Sequence, residues 1–291
     1  MPLEVWVPLA NCRAAWRACR TEFDLAIVVI LMETEKPLFP GALVSPEAKI
    51  GQNVQIGFAS HIYPWAEIGD GSVIGDYCIV GHPAGGPSAT GRTVIGPGST
   101  VRSHTIVYQD VDLGKNFQTG HHALVRERTK AGINLRMGTY TTIEGHVEIG
   151  DYTRLHGYVH VGQGSRIGSF VWLYSLTTLM NDPLPPSHTE LPVTVEDGVV
   201  VCVGALIMPG AVMRKGAFIC AGSRAAGEIP PGAVVEGPRG EIRLHVSQMV
   251  SVESKLAHPW MRHFADAYPP EAQPRLAALR DEIIAGRRRK R

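Results

Sequence analysis

The segment from Gln118 to Asp151 concentrates side chains that can move a proton or hold a polar group. His146 is the sharpest candidate, because an imidazole with a free pKa of about 6.5 suits a general base. Arg126 and Glu144 carry opposite charges, and their sequence numbers differ by 18. Such a pair can hold an amine or a bridging water, or it can simply order a surface turn.

A second set of candidates is a series of rings that recur at the same interval. His104 and His122 begin the series, and Tyr140 and Tyr158 continue it. A stripe of rings suits the flat face of a sugar or a base, although stacked histidines can equally be structural. Both sets require a fold that brings residues 18 apart into contact.

Aliphatic residues recur every six positions along most of the chain, over residues 44–80, 95–179 and 195–225. Of these 28 positions, 25 are Ile, Val, Leu or Met, and 13 are followed directly by Gly. The exceptions are Thr119, Ala131 and Ala225. A period of six fits neither a helix nor a simple alternating strand. It indicates a solenoid in which each hexad is one short strand and one turn.

The repeat predicts an all-β protein, a parallel β-helix of about nine triangular coils. The aliphatic residue points inward, and we expect the following Gly to take the positive φ of the turn. Residues 18 apart then stack at about 4.8 Å, the spacing of neighbouring strands. The two breaks in the period, after Val80 and after Leu179, predict loops, where binding residues concentrate.

The hexads resemble those of the hexapeptide-repeat acyltransferases, over residues 44 to about 237. The resemblance implies a left-handed parallel β-helix that assembles as a homotrimer, with loops over the cleft between subunits. The stretch Asn181-Asp182-x-x-Pro-Pro looks like the nucleotide-sugar N-acetyltransferases of cell-surface polysaccharide synthesis. The string from Ile143 to Val147 resembles the catalytic-histidine segment of UDP-N-acetylglucosamine acyltransferases.

The resemblance implies an acetyl transfer from acetyl-CoA to the amino group of a nucleotide-linked amino sugar. His146 would be the base, and the other catalytic candidates are Glu144 and His122. The acceptor candidates are Arg126, His104, Tyr140, Asn181 and Asp182. Small residues in the last coils would let the acyl-thioester arm approach, and backbone N–H groups near Gly204 would polarise its carbonyl. These donor candidates are Gly204, Ala205, Ala221, Gly222, Ser223 and Arg224.

One departure from the family pattern concerns the donor. Family members commonly have a Lys before the Pro-Pro-Gly turn, suited to a phosphate of coenzyme A, whereas this chain has Glu228 shortly before Pro230. Arg224 or Arg239 could substitute. An acyl carrier protein that delivers a longer chain for O- or N-acylation therefore stays open as an alternative donor.

Three other functions can be weighed on the sequence. The γ-class carbonic anhydrases need two zinc histidines five residues apart, and only His258 and His263 have that spacing, outside the repeat. We therefore expect no metal. No Gly-rich phosphate-binding segment precedes the repeat, which disfavours a nucleotidyltransferase. A non-catalytic scaffold stays open.

Composition limits partners and compartment. Lys+Arg 28 against Asp+Glu 27 gives a formal charge of +1, which offers no support for binding nucleic acid or an anionic membrane. The five cysteines form no CxxC pair, which favours free thiols in the cytoplasm. The most apolar run, residues 25–32, is too short for a membrane span.

Two segments flank the repeat. Residues 1–43 carry no hexads and are predicted to be a cap, an extension or partly a misassigned start. Residues 238–291 are predicted to be helical, with Leu276, Leu279 and Ile283 on one face and a basic tail at the end.

Overall fold

Short strands dominate the structure, a computed structural model that describes Phe39 and residues 41–85, 91–249 and 265–288. The first ten are β1 (Leu43–Val44), β2 (Lys49–Ile50), β3 (Gln55–Ile56), β4 (His61–Ile62), β5 (Ala66–Ile68), β6 (Val73–Ile74), β7 (Ile79–His82), β8 (Thr93–Ile95), β9 (Thr100–Val101) and β10 (Ile106–Tyr108). The next ten are β11 (Asp112–Leu113), β12 (Leu124–Val125), β13 (Lys130–Ala131), β14 (Arg136–Met137), β15 (Thr142–Ile143), β16 (Glu148–Ile149), β17 (Arg154–Leu155), β18 (His160–Val161), β19 (Arg166–Ile167) and β20 (Trp172–Leu173). The last ten are β21 (Thr178–Leu179), β22 (Thr194–Val195), β23 (Val200–Val201), β24 (Leu206–Ile207), β25 (Val212–Met213), β26 (Phe218–Ile219), β27 (Arg224–Ala225), β28 (Glu228–Ile229), β29 (Ala233–Glu236) and β30 (Glu241–His245).

The strands form three faces, which we name sheets A, B and C. Sheet A contains β1, β4, β7, β10, β12, β15, β18, β21, β24 and β27. Sheet B contains β2, β5, β8, β11, β13, β16, β19, β22, β25 and β28. Sheet C contains β3, β6 and β9, then β14, β17, β20, β23, β26, β29 and β30, and a bridge at Gln118 joins its two parts. Apart from the terminal β30, all pairs are parallel, which confirms the predicted parallel β-helix.

Neighbouring strands pair residues 18 apart, as in Leu43 with His61 and Leu124 with Thr142. The core is the set of periodic positions, which are buried except for Val44, Ile50 and Ala131. The predicted number of coils is corrected from about nine to ten, because a four-residue step after Ala225 hides two more core residues. These are Ile229 and Val235, which lie in β28 and β29.

The Gly that follows many inward aliphatic residues has a different role from the predicted one. Positive φ occurs two residues later, as at Asn53 (φ 55°) and Gly71 (φ 66°). The Gly instead permits close approach of the coils: a Cβ on Gly69 would lie 2.4 Å from the backbone nitrogen of Pro97. A side chain there would force adjacent coils apart, so Gly sets the coil spacing.

The chain leaves the β-helix through β30, which runs antiparallel to β29. This strand corrects the prediction that residues from 241 onward are helical. Three short 3-10 helices follow, at Val246–Gln248, Ala265–Ala267 and Pro270–Ala272, and then α1 (Gln273–Arg288). The predicted apolar face of α1 is confirmed, because Leu276, Leu279 and Ile283 are buried. The predictions for residues 1–38, His258, His263 and the basic tail at 289–291 lie outside the described residues.

The contact between α1 and the coils makes a testable difference between two glycines. Gly216 (φ 66°) faces Ile283, whose Cδ1 would lie 2.5 Å from an added Cβ, whereas Gly222 (φ 65°) has nothing within 4 Å. Both Gly→Ala variants carry the same backbone strain. We expect Gly216→Ala to lose about 1–3 kcal/mol more in free energy of unfolding than Gly222→Ala, because α1 must shift. Urea unfolding measures this difference, and equal losses would contradict the docking of α1.

Candidate functional site

Arg126 holds two carboxylates at the outer edge of sheet A. Its Nη1 donates to Oε2 of Glu144 at 3.3 Å, which confirms the predicted pairing across one coil. A closer partner escaped the sequence analysis: Nε and Nη2 donate to the two carboxylate oxygens of Glu127, at 3.1 and 2.8 Å. The hydrogen bonds to Glu127, with a smaller contribution from Glu144, raise the pKa of Arg126 above its ordinary value. The guanidinium therefore stays charged.

Arg126 and Glu144 occupy the position after the inward aliphatic residue, where other hexads often have Gly. Few hexads of sheet A have Gly at this position. On sheet A the position after the inward aliphatic carries Gly only at Gly81 and Gly162 among the ten coils. The other members are Ser45, Tyr63, Tyr108, Met180, Met208 and Ala226. The feature therefore belongs to sheet A as a whole and does not by itself distinguish Arg126 and Glu144.

A file of rings leads to Arg126 across the first coils of sheet A. The rings of His61 and Tyr63 stack at 4.1 Å, and His82 lies 5.5 Å from Tyr63. Tyr108 is 5.2 Å from His82, and the guanidinium carbon of Arg126 lies 5.9 Å from its ring centre. The regular spacing does not predict this row of rings, because the loop inserted after β7 breaks the period and β7 pairs with β10 in an altered register.

A cavity of about 350 Å³ opens beside this cluster. Its lining comprises Ala84, Gly91, Gln109, Asp110, Glu127, Arg128 and His146. The ring of His146 is exposed, and the backbone N–H of the same residue donates to the carbonyl of Glu127 at 2.9 Å. Arg128 Nε lies 3.6 Å from Oδ2 of Asp110. The structure thus places His146 in one cavity with two carboxylates and a guanidinium.

The predicted ring column exists and extends further than expected. Ring centres are 5.0 Å apart from Tyr77 to His104, 4.5 Å from His104 to His122, and 4.9 and 5.1 Å onward to Tyr140 and Tyr158. All four pairs are stacked, with interplanar angles of 11° to 25°. The rings therefore cover one another's faces. Along its length the column offers ring edges and polar atoms to a ligand. Binding of an acceptor by His104 and Tyr140 stays a prediction.

A single chain does not bring this column to the cavity. His122 precedes Arg126 by four residues, and the strand β12 lies between them. Four extended residues span about 13 Å, so the column and the cavity border opposite edges of sheet A. Of the three predicted catalytic residues, His146 lines the cavity and Glu144 is joined to it through Arg126, whereas His122 lies apart.

In the loop at residues 180–193, the predicted binding residue Asp182 forms hydrogen bonds within the loop itself. Asp182 Oδ1 accepts hydrogen bonds from Leu184 N at 2.9 Å and Ser187 Oγ at 2.6 Å, and Oδ2 accepts from Ser187 N at 3.0 Å. The Ser187 hydroxyl is the main cause of a lowered pKa for Asp182. The carbonyl of Asn181 accepts from Leu191 N at 2.7 Å. Binding of an acceptor by Asn181 and Asp182 stays a prediction.

The candidate donor residues divide into buried and open ones. Ala205 and Ser223 are buried, and Ser223 Oγ accepts from Gly237 N at 2.9 Å. Gly204 and Gly222 have open space where a Cβ would stand, and Ala221 is exposed. The N–H of Gly204 already donates to Ser175 O at 3.0 Å, which weakens it as a carbonyl-polarising donor.

Two cations stand near the last coils where the family has a lysine. Arg224 and Arg239 are both exposed, and neither forms an ion pair within the described part of the chain. Glu228, by contrast, accepts from Arg214 Nε at 2.9 Å. Either free arginine can meet a phosphate of a donor, because guanidinium groups bind phosphate bidentately. Their role stays a prediction.

A larger concavity of about 720 Å³ lies on the outer face of sheet B. Its strands carry alternating charges, as in Asp112, Lys130, Glu148 and Arg166. It contains none of the predicted site residues and lacks histidine. Among the described residues, no three metal-ligating side chains converge, and no helix has the length and apolarity to cross a membrane. Cys78, Cys202 and Cys220 are free thiols.

A comparison with known protein families also finds a hexapeptide repeat in this chain. A sequence profile of the bacterial transferase hexapeptide, with six repeats, matches residues 47–82 and confirms the resemblance for the first coils. No curated protein sequence matches the chain.

Several solved structures are similar to the chain. The UDP-N-acetylglucosamine acyltransferase from Arabidopsis is 20% identical over 72% of this chain and 74% of its own, with a TM-score of 0.44. The UDP-N-acetylglucosamine acyltransferase from Campylobacter jejuni is 17% identical over 82% and 81%, with a TM-score of 0.43. The polySia specific acetyltransferase NeuO is 11% identical over 78% and 95%, with a TM-score of 0.35.

Proposed function

We propose that this protein transfers an acetyl group from acetyl-CoA to the amino group of a nucleotide-linked amino sugar. The observation that carries the proposal is the cavity where His146, Glu127, Asp110 and Arg128 converge on a hexapeptide β-helix. Acyl transfer to an amine needs a proton acceptor and groups that fix the amine, and these side chains supply both. The setting would be the synthesis of a cell-surface polysaccharide.

The charge at the cavity favours an amine over a hydroxyl. Asp110 and Glu127 line the cavity together with Arg128, which leaves an excess of one negative charge, and the adjoining pair of Arg126 and Glu144 is neutral as a pair. An acceptor that arrives as an ammonium ion is attracted to this excess, whereas a neutral hydroxyl is not. The cavity, at about 350 Å³, lies at the small end of the range of ligand-pocket volumes.

The proposed reaction forms one C–N bond and breaks one C–S bond. The ammonium ion first loses one proton to solvent, which frees the nitrogen lone pair. The amine nitrogen then attacks the thioester carbon, His146 accepts the proton that the nitrogen loses, and His146 passes this proton to the departing thiolate. Glu144 fixes Arg126, which in turn orients Glu127 beside the acceptor.

The donor would lie along Gly204 and Gly222, with Arg224 near its phosphates. These two glycines continue the turn column of Tyr140 and Tyr158, across sheet A from the cavity, so the donor would be held by a neighbouring copy of the chain.

We further propose that the working form is a homotrimer. The ring column of His104, His122 and Tyr140 lies across sheet A from the cavity, so one chain cannot use both on one small substrate. A second copy would present its column to the cavity of the first. Ring edges then contribute hydrogen bonds to the sugar or the nucleotide.

Thiol release tests the function. Purified protein is incubated with acetyl-CoA and a panel of UDP- and dTDP-linked amino sugars, and free thiol is measured over time. We expect release with one acceptor only. Release from an acyl carrier protein but not from acetyl-CoA would replace the donor, and no release with any donor would favour a binding scaffold.

A further inference from the structure

Two carboxylates, Asp110 and Glu127, line the cavity, and a third, Glu144, is linked to Glu127 through Arg126; the three differ in how they are held. Asp110 is half exposed, and its ion pair with Arg128 is long, at 3.6 Å. Glu144 has a single ion pair, with Arg126 at 3.3 Å. Glu127 is fixed at both oxygens by Arg126, and 18% of its side chain is exposed. Fixed geometry is what a group needs to orient a reacting atom.

The carboxylate of Glu127 keeps capacity for a ligand. A carboxylate has about four lone-pair positions, and Arg126 occupies two of them. No other side chain in the described ranges bonds to Glu127. Asp182 differs, because three hydrogen bonds within its own loop occupy it.

The backbone next to Glu127 is unusual at Gly145. The residues that stack in this column are Gln109, Glu127, Gly145 and Gln163. Gly145 has φ 98°, whereas none of the other three has a positive φ. A Cβ there would lie 2.8 Å from the carbonyl oxygen of Glu127 and 3.7 Å from its carboxyl carbon. The missing side chain thus leaves a gap beside the carboxylate, at a backbone conformation that glycine adopts without strain.

We propose that Glu127 binds the acceptor amine directly and that Gly145 keeps the approach to its carboxylate open; this inference rests on the proposed function. The acceptor binds as an ammonium ion, and one of its N–H groups donates to a Glu127 oxygen. After the ammonium has lost one proton to solvent, the remaining hydrogen bond directs the nitrogen lone pair toward the thioester carbon. As the C–N bond forms and the C–S bond breaks, the proton that the nitrogen loses passes to His146, which gives it to the departing thiolate. Glu127 selects an amine over a hydroxyl because only the amine arrives with a positive charge.

Binding measurements test this selection without any turnover. The probes are UDP-linked hexoses with an amine at carbon 2, 3 or 4, each compared with the hexose that has a hydroxyl there. Isothermal titration of the wild-type protein should show one amine probe bound about 10- to 100-fold more tightly than its hydroxyl counterpart, as expected for a hydrogen bond to a charged group. Glu127→Gln should abolish this preference. Glu148→Gln, an exposed carboxylate on sheet B, should retain it.

A second pair of variants tests the gap. Gly145→Ala should weaken the amine probe by at least about 10-fold, whereas Gly71→Ala, with φ 66° and open space, should not. Equal preference in the wild type and Glu127→Gln, or no amine preference in the wild type, would overturn the inference. Acetyl transfer without amine preference would leave the proposed function standing, and amine preference without transfer would leave only the inference.

Discussion

Replacing His146 by alanine should lower kcat/KM for acetyl transfer by about 10²- to 10⁴-fold, the usual contribution of a general base. The reason is its place in the cavity, where it is the one histidine beside Asp110, Glu127 and Arg128 in the described part of the chain. The side chain is exposed and its amide hydrogen bond belongs to the backbone, so the fold should survive. Initial rates of thiol release at saturating acetyl-CoA measure the loss.

The control for this variant is His188→Ala, which removes an exposed imidazole from the 180–193 loop. Its rate should stay within about twofold of wild type, because His188 does not line the cavity and exposed side chains outside a site usually contribute little. If His146→Ala keeps wild-type activity, the proton goes directly to the departing thiolate, and His146 is not the base.

Replacing Phe117 by alanine should cost about 4 kcal/mol in free energy of unfolding. Phe117 is fully buried and is the largest such side chain among the described residues. It lies in the coil where Thr119 takes a periodic position normally filled by a larger aliphatic residue. A Phe-to-Ala change in a core loses transfer free energy and leaves a cavity. In a solenoid the damage also weakens the interfaces with both neighbouring coils.

Urea denaturation followed by circular dichroism measures this loss. Phe58→Ala is the matched control, because Phe58 is 58% exposed and contacts Tyr77 edge to face. It should lose about 1 kcal/mol, the value of one aromatic pair. Similar losses in the two variants would contradict the assignment of Phe117 to the core.

The period of six was enough to predict the coils, their direction and the inward residues. It was not enough to find Ile229 and Val235, because a four-residue step after Ala225 breaks the count. The role of Gly also needed the structure. A sequence pattern shows that Gly is required at Gly69 but does not show that the reason is the backbone of Pro97.

The site was predicted in part for a related reason. Because positions 18 apart stack, the period correctly predicted the contact of Arg126 with Glu144 and the existence of the ring column. Contacts between neighbours in sequence are not periodic, so the bidentate hold on Glu127 went unseen. The period also says nothing about ring orientation, and only the structure shows that the stacked rings cover one another's faces.

Acetyl transfer to an amine is best tested by a comparison of amino sugars with the corresponding hydroxyl sugars. Thiol release from acetyl-CoA is measured with each nucleotide-linked amino sugar and with its hydroxyl counterpart, and the product is treated with mild alkali. We expect release only with an amino sugar, and an alkali-stable amide as the product. Faster release with the hydroxyl sugar, giving an alkali-labile ester, would contradict this expectation.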